Sequence, residues 1–219
     1  MNRPIRSYVL RQGRTTAAQR RALEELYPKY GLALSDRPLD FSQVFAREAP
    51  LVLEIGSGMG ETTAAIAEAH PETDFIAVEV HGPGVGSLLN RIEQHELSNV
   101  RVIRHDAVDV LQRMVSDGAL AAVHLFFPDP WPKKRHHKRR LVQPEFAALA
   151  ARKLAPGGVL HAATDWQDYA SHMQEVFSRE PLLERASVGF VERPGTKFET
   201  RGVRLGHPIV DLYFRRVRR

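Results

Sequence analysis

From Leu51 onward the chain alternates between two hydrophobic rhythms. Leu51–Ile55 is a short apolar run, followed by Gly56-Ser57-Gly58-Met59-Gly60 and a helical pattern over Glu61–His70 that Pro71 ends. The same unit recurs. Strand patterns over Asp74–Val80, Val100–His105, Ala121–Phe127 and Val159–Thr164 alternate with helical patterns over Val85–Glu96, Val108–Val115, Pro144–Leu154 and Trp166–Ser178. Strands separated by helices of this length predict an α/β fold: a mostly parallel sheet with helices on both faces. Two further strands, 185–192 and 208–214, are joined by a Gly/Pro/Arg loop instead of a helix. They predict an antiparallel edge at the C-terminal end and bring the sheet to seven strands. Upstream, Thr15–Gln19 lead into a helix with Leu23 and Leu26 that Pro28 stops. Residues 31–49 read as a connector with a small apolar cluster, Phe41, Val44 and Phe45. The expected organisation is an N-terminal basic arm and connector over 1–49 and a Rossmann-like domain over 50–219.

Composition narrows the chemistry. The 219 residues are 43% hydrophobic, enough for one core, and contain no cysteine. That excludes disulfides, thiolate zinc sites and cysteine nucleophiles. The Arg-rich start (Arg3, Arg6, Arg11, Arg14) lacks the apolar centre of a signal peptide, and no apolar run is long enough for a bilayer. A soluble, cytoplasmic protein with no membrane contact is expected. Net charge is +5, but it is concentrated. Lys133-Lys134-Arg135-His136-His137-Lys138-Arg139-Arg140 holds six Lys/Arg, and Arg215-Arg216-Val217-Arg218-Arg219 holds four, leaving the remainder near −5. Such local charge either attracts a polyanion, nucleic acid first, or forms a solvated face. His136-His137 has no metal-site spacing and no second cluster, so no metal is assigned.

Three acids and a glycine loop suggest a ligand. The loop after the first strand is spaced GxGxG, tighter than the GxGxxG that seats a pyrophosphate on a helix N-terminus. Glu54 precedes it, Glu79 ends the second strand about 20 residues on, and Asp106 ends the third. All three fall on the carboxyl rim where open α/β sheets bind ligands. Gly56 and Gly58 allow a ligand to lie on bare backbone. A ligand with a ribose, an adenine edge and cationic groups but no diphosphate matches this set, and S-adenosylmethionine is such a ligand.

After the fourth strand comes Phe126-Phe127-Pro128-Asp129-Pro130-Trp131-Pro132, which runs straight into the basic stretch. Prolines on both sides hold Asp129 in a stiff, non-helical loop beside the expected ligand site. The stretch from Phe126 to Arg140 resembles the signature of the bacterial tRNA (guanine-N7)-methyltransferases, the TrmB family. The likeness continues through Leu141–Phe146, Ala163–Trp166, Thr196–Gly202, Arg204–His207 and Arg6–Arg14, nearly the whole chain.

The resemblance implies a Rossmann-like S-adenosylmethionine-dependent fold and methyl transfer to guanine N7 at position 46, in the variable loop of tRNA. It places Glu54, Gly56, Gly58, Glu79, Asp106 and Asp129 at the methyl donor, with Asp129 as the catalytic candidate. Lys133, Asp165, Thr196, Lys197, Phe198 and Glu199 would meet the guanosine. Arg135, His136, His137, Lys138, Arg139 and Arg140 would meet the RNA. A monomer or homodimer without an obligate protein subunit is expected. From the residues alone, three other readings stay open. They are a methyltransferase for another substrate, an NAD-dependent oxidoreductase (which the glycine spacing opposes), and an RNA-binding module that leaves the three acids unexplained.

Overall fold

The computed structural model describes residues 6–8, 14–194 and 208–218. Its strands are β1 (Leu51–Ile55), β2 (Asp74–Val78), β3 (Val100–Ile103), β4 (Leu120–Phe126), β5 (Leu154–Thr164), β6 (Leu183–Ala186) and β7 (Val210–Arg216). They form one sheet in the order β3-β2-β1-β4-β5-β7-β6. The first five run parallel, and β7 lies antiparallel between β5 and β6. Between β1 and β4 the direction of winding reverses. In such sheets that reversal opens a crevice at the carboxyl ends of the strands.

The helices are α1 (Ala17–Glu25), α2 (Tyr27–Tyr30), α3 (Phe41–Phe45), α4 (Glu61–Ala69), α5 (Gly82–Gln94), α6 (Ala107–Arg113), α7 (Pro144–Lys153) and α8 (Gln167–Ser178). Strands β1 and β2 are buried along their whole length, as expected when helices cover both faces. One face carries Leu53, Ile76, Val123 and Leu160 against Leu111, Phe146, Met173 and Phe177 of α6, α7 and α8. The other carries Val52, Ala77 and Ala122 against Ala22, Ile66, Leu88 and Ile92 of α1, α4 and α5. Among the described residues no helix is long and apolar enough to cross a membrane.

The departures from the sequence pattern have local causes. Pro28 does not only stop a helix: it occupies the first turn of α2, where its missing N–H costs nothing. Pro83 does the same for α5, which therefore starts at Gly82 despite the Gly-Pro-Gly sequence. The connector contains α3, capped by Asp40, whose carboxylate accepts the Ser42 N–H at 3.0 Å. Residues 134–139, read only as charge, form a 3-10 helix. The sixth strand is shorter than expected and earlier, at Leu183–Ala186. The chain then leaves the sheet and folds back over it, with Val191 buried in the second core face.

Candidate active site

The crevice holds a cavity of about 220 Å³ whose lining includes Gly56, Glu79, Asp106, Phe127 and Asp129. A second cavity, of about 630 Å³, adjoins it and shares Tyr8, His105, Asp106 and Leu141 with it. The elements that converge are the loops after β1, β2, β3 and β4, together with Ser7 and Tyr8 of the N-terminal segment. Nothing in the residue pattern marks Ser7 or Tyr8 beyond their place in the family-like stretch.

On the β1–β3 side the acids are held by backbone. Gly56 and Gly58 have φ of 76° and 56°, and a Cβ built on either meets nothing within 4 Å. Their surroundings would tolerate a side chain, but their backbone conformation favours glycine and leaves that surface bare for a ligand. The Gly58 N–H donates to Glu79 Oε2 at 2.8 Å, and the His81 N–H donates to Oε1 at 2.8 Å. Glu79 thus ties the glycine loop to the start of α5, with acceptor capacity left on both oxygens. Gly84 lets α5 come this close, since a Cβ there would sit 2.4 Å from the Gly58 carbonyl oxygen. Asp106 caps α6, its Oδ1 accepting the Val108 N–H at 2.9 Å. Glu54 is different. It is sunk in the sheet at 4% exposure and accepts a hydrogen bond from the Thr63 hydroxyl at 2.6 Å. Burial, and after it the Glu79 charge, push its carboxyl up to about 7.

Asp129 is exposed, between two residues of left-handed backbone, Phe127 at φ 51° and Trp131 at φ 44°. Such conformations cost on the order of 1–3 kcal/mol each and persist only where the surroundings enforce them. The enforcing contacts are visible. The Phe127 N–H donates to the Ala163 carbonyl at 2.8 Å. The Trp131 indole N–H donates to the Ser7 carbonyl at 2.9 Å, and the Arg139 guanidinium lies 4.1 Å from the centre of the Trp131 ring. Trp131 therefore anchors the N-terminal segment, while Met59 of the glycine loop is 47% exposed. Asp165 is exposed just beyond β5, and Lys133 is exposed at the start of the 3-10 helix.

The 3-10 helix sorts the basic run. With three residues per turn, side chains three apart share a face. Arg135 and Lys138 are exposed. His136 and Arg139 turn onto Trp131. His137 and Arg140 turn onto Asp168. Desolvation and the neighbouring cations, Arg135 and Arg139 first, hold the His136 pKa below its ordinary value. Arg140 is 3% exposed, donates to the Pro130 carbonyl at 2.9 Å and to Asp168, and lies 4.9 Å from the Tyr169 ring centre. It reaches the Asp129 loop from inside, and this burial leaves little of its side chain open to the RNA it was expected to meet. Thr196, Lys197, Phe198 and Glu199 lie outside the described residues.

Sequence reading also missed a polar row on the sheet face that carries Val52 and Ala122. Glu54, His124, His161 and Tyr213 stand beside one another in register across β1, β4, β5 and β7. Burial, then His161, push His124 down to about 3, so it stays neutral. Polar residues in apolar strands carry no sequence signal that they will align, because alignment is a property of register.

Strand order, the reversed seventh strand and an acid-lined crevice at the switch point define the Rossmann-like methyltransferase fold. Solved structures agree. The 16S rRNA methyltransferase KamB superposes with a TM-score of 0.57 at 14% identity, over 81% of this chain and 93% of its own. The precorrin-6y C5,15-methyltransferase of Geobacter metallireducens does so at 0.54 and 13%, over 80% and 87%. The profile of the Methyltransf_4 family, described as "Putative methyltransferase", matches residues 48–212. The tRNA (guanine-N(7)-)-methyltransferase of Nitrosospira multiformis is 58% identical over 219 residues, covering 98% of this chain and 96% of its own. That of Nitrosomonas europaea is 57% identical over 217 residues, covering 97% of each. The chain belongs to the tRNA (guanine-N(7)-)-methyltransferase family.

Proposed function

We propose that this protein transfers a methyl group from S-adenosylmethionine to N7 of a guanine in tRNA, at position 46 of the variable loop. The observation that carries the reading is one crevice lined by Gly56, Glu79, Asp106 and Asp129, opening beside a helix that presents Arg135 and Lys138 outward. The identity to curated tRNA (guanine-N(7)-)-methyltransferases supports the choice of RNA, base and atom. Residues 50–219 carry the transferase chemistry; within the arm and connector of 1–49, Ser7 and Tyr8 line the crevice and Ala22 packs in the core. The enzyme acts in the cytoplasm, as a monomer or homodimer without an obligate subunit.

S-adenosylmethionine supplies an electrophilic methyl group on a sulfonium. The donor set fits it. Glu79, fixed by two N–H groups, keeps lone pairs for a ribose diol, and the open backbone at Gly56 and Gly58 accepts a chain without a diphosphate. Asp106, which caps α6 and also faces the Tyr8 hydroxyl, keeps acceptor capacity for an adenine edge. Guanine N7 carries a lone pair and no hydrogen, so no general base is required, and catalysis rests on alignment and electrostatics. Asp129 orients the base and stabilises the positive charge it gains. Asp165 accepts from the N1–H and N2–H₂ edge, which selects guanine over adenine. Lys133, exposed at the start of the 3-10 helix, meets the guanosine, and the exposed Lys134, Arg135 and Lys138 meet phosphates.

The test is labelled methyl transfer to unmodified tRNA, followed by nucleoside mapping, with a guanine-to-adenine change at position 46 as control. Incorporation as 7-methylguanosine that vanishes in the control is expected. Undiminished labelling of the altered tRNA would refute the site assignment.

A further inference from the structure

After β6 the chain folds back over the sheet, and there Arg193 meets Asp211 of β7. Arg193 donates from Nε to Asp211 Oδ1 at 3.3 Å and from Nη2 to Oδ2 at 3.2 Å. Its side chain is 7% exposed, and its guanidinium lies 5.6 and 5.4 Å from the ring centres of Phe126 and Phe127. His161 Nε2 lies 2.7 Å from the same Asp211 Oδ1. Asp211 is in register with Ala163, whose carbonyl accepts the Phe127 N–H. Burial opposes the charge on Asp211, yet the His161 and Arg193 hydrogen bonds hold its carboxyl below the ordinary range.

Burying a guanidinium is costly unless its charge is paired. Here the paired cation is laid over the aromatic residues that open the Asp129 loop, one of them in left-handed backbone. The cluster also sits where the candidate guanosine contacts begin. Asp129 follows Phe127 by two residues, Asp165 follows Ala163 by two, and Thr196 follows Arg193 by three. One ion pair therefore touches, or adjoins in sequence, the segments that carry Asp129, Asp165 and Thr196, though not the one that carries Lys133.

We propose that Arg193, held by Asp211, is a positioning residue. It presses Phe126 and Phe127 onto the end of β5 and so sets Asp129 against Asp165, without touching the reacting atoms itself. The proposal rests on the methyl-transfer reading above, and its test separates the two. Arg193→Lys in the full chain keeps the charge but loses the planar stack and the two-point pairing. The expected result is a fall in kcat for tRNA methylation of about a hundredfold, as small misplacements produce, with S-adenosylmethionine affinity within about twofold of the parent. Hydrogen exchange should quicken over 126–131 and stay unchanged over 51–60. Asp211→Asn should shift both readouts the same way and carries the test alone if Arg193→Lys does not fold. Unchanged kcat with unchanged exchange overturns the proposal. So does faster exchange over both segments with lost cofactor binding, which is general loosening. Should the parent protein transfer no methyl group to tRNA, the functional reading fails. The exchange contrast then decides the clamp: present, it supports the proposal; absent, it overturns it.

Discussion

The two halves of the rim are held by different means. On the β1–β3 side, acids are fixed by local backbone: Glu79 by the Gly58 and His81 N–H groups, Asp106 by the turn it caps. On the β4–β5 side the backbone of the Asp129 loop is strained at Phe127 and Trp131, and three arginines folded back onto it, one of them distant in sequence, compensate. Arg140 reaches Pro130, Arg139 covers Trp131, and Arg193 covers Phe126 and Phe127. A ligand shared by many enzymes of one fold suits a site built from loop geometry. On the proposed function, the macromolecular substrate is met by a loop whose shape is imposed by side chains packed against it. The second basic segment sharpens the point. Arg215 pairs in register with Val159, at the end of β5 away from the rim, and Arg216 donates to the Arg152 and Leu154 carbonyls. Charge of the same sign in the sequence thus lies at a different end of the sheet.

The largest expected effect is at Asp129. Asp129→Asn should lower kcat by about two to three orders of magnitude, the scale of losing a fixed electrostatic partner of the transition state, and weaken cofactor binding far less. Near-normal turnover would remove Asp129 from the chemistry. On the other half, Glu79→Ala should weaken S-adenosylmethionine binding by about 30- to 100-fold, since its charge-assisted hydrogen bonds disappear and the Gly58 and His81 N–H groups are freed. Calorimetry checks this, and a KM effect confined to tRNA would contradict it.

Within the basic run, Arg135→Ala with Lys138→Ala should reduce the dependence of tRNA affinity on log salt by about two, roughly one for each phosphate no longer neutralised. Arg140→Ala should leave that slope alone and lower the unfolding midpoint instead. A slope change in Arg140→Ala equal to that of the outward pair would erase the inside–outside division. The smallest effect concerns Glu54. Its folded carboxyl titrates near 7 against an ordinary 4.5, so the native chain retains a proton that the unfolded chain releases. Stability without methyl donor should therefore fall as pH rises from about 4.5 through about 7, by on the order of 1–3 kcal/mol. Urea unfolding at pH 5 and pH 8 should show that slope, and Glu54→Gln should flatten it. The same slope in the variant would assign it to another group.

The βα alternation, the three strand-end acids and the proline-locked Asp129 were legible in the chain because each is a local matter. Periodicity decides strand or helix, a strand's end decides where a side chain meets the rim, and prolines stiffen their own neighbours. The family signature was likewise a contiguous string. Three things depended on distant parts meeting. Glu54 looked equivalent to Glu79 until the fold buried both but put only Glu79 in the wall of the crevice, with two N–H partners. Six cations in a row looked alike until a 3-10 turn and Asp168 divided them into outward and inward faces. Arg193 and Asp211 had no visible connection until an antiparallel β7 brought Asp211 beside Ala163, under the loop that Arg193 covers. Charge and hydrophobicity are properties of residues, but desolvation and pairing are properties of places, and a place exists only once register and chain crossings have been made.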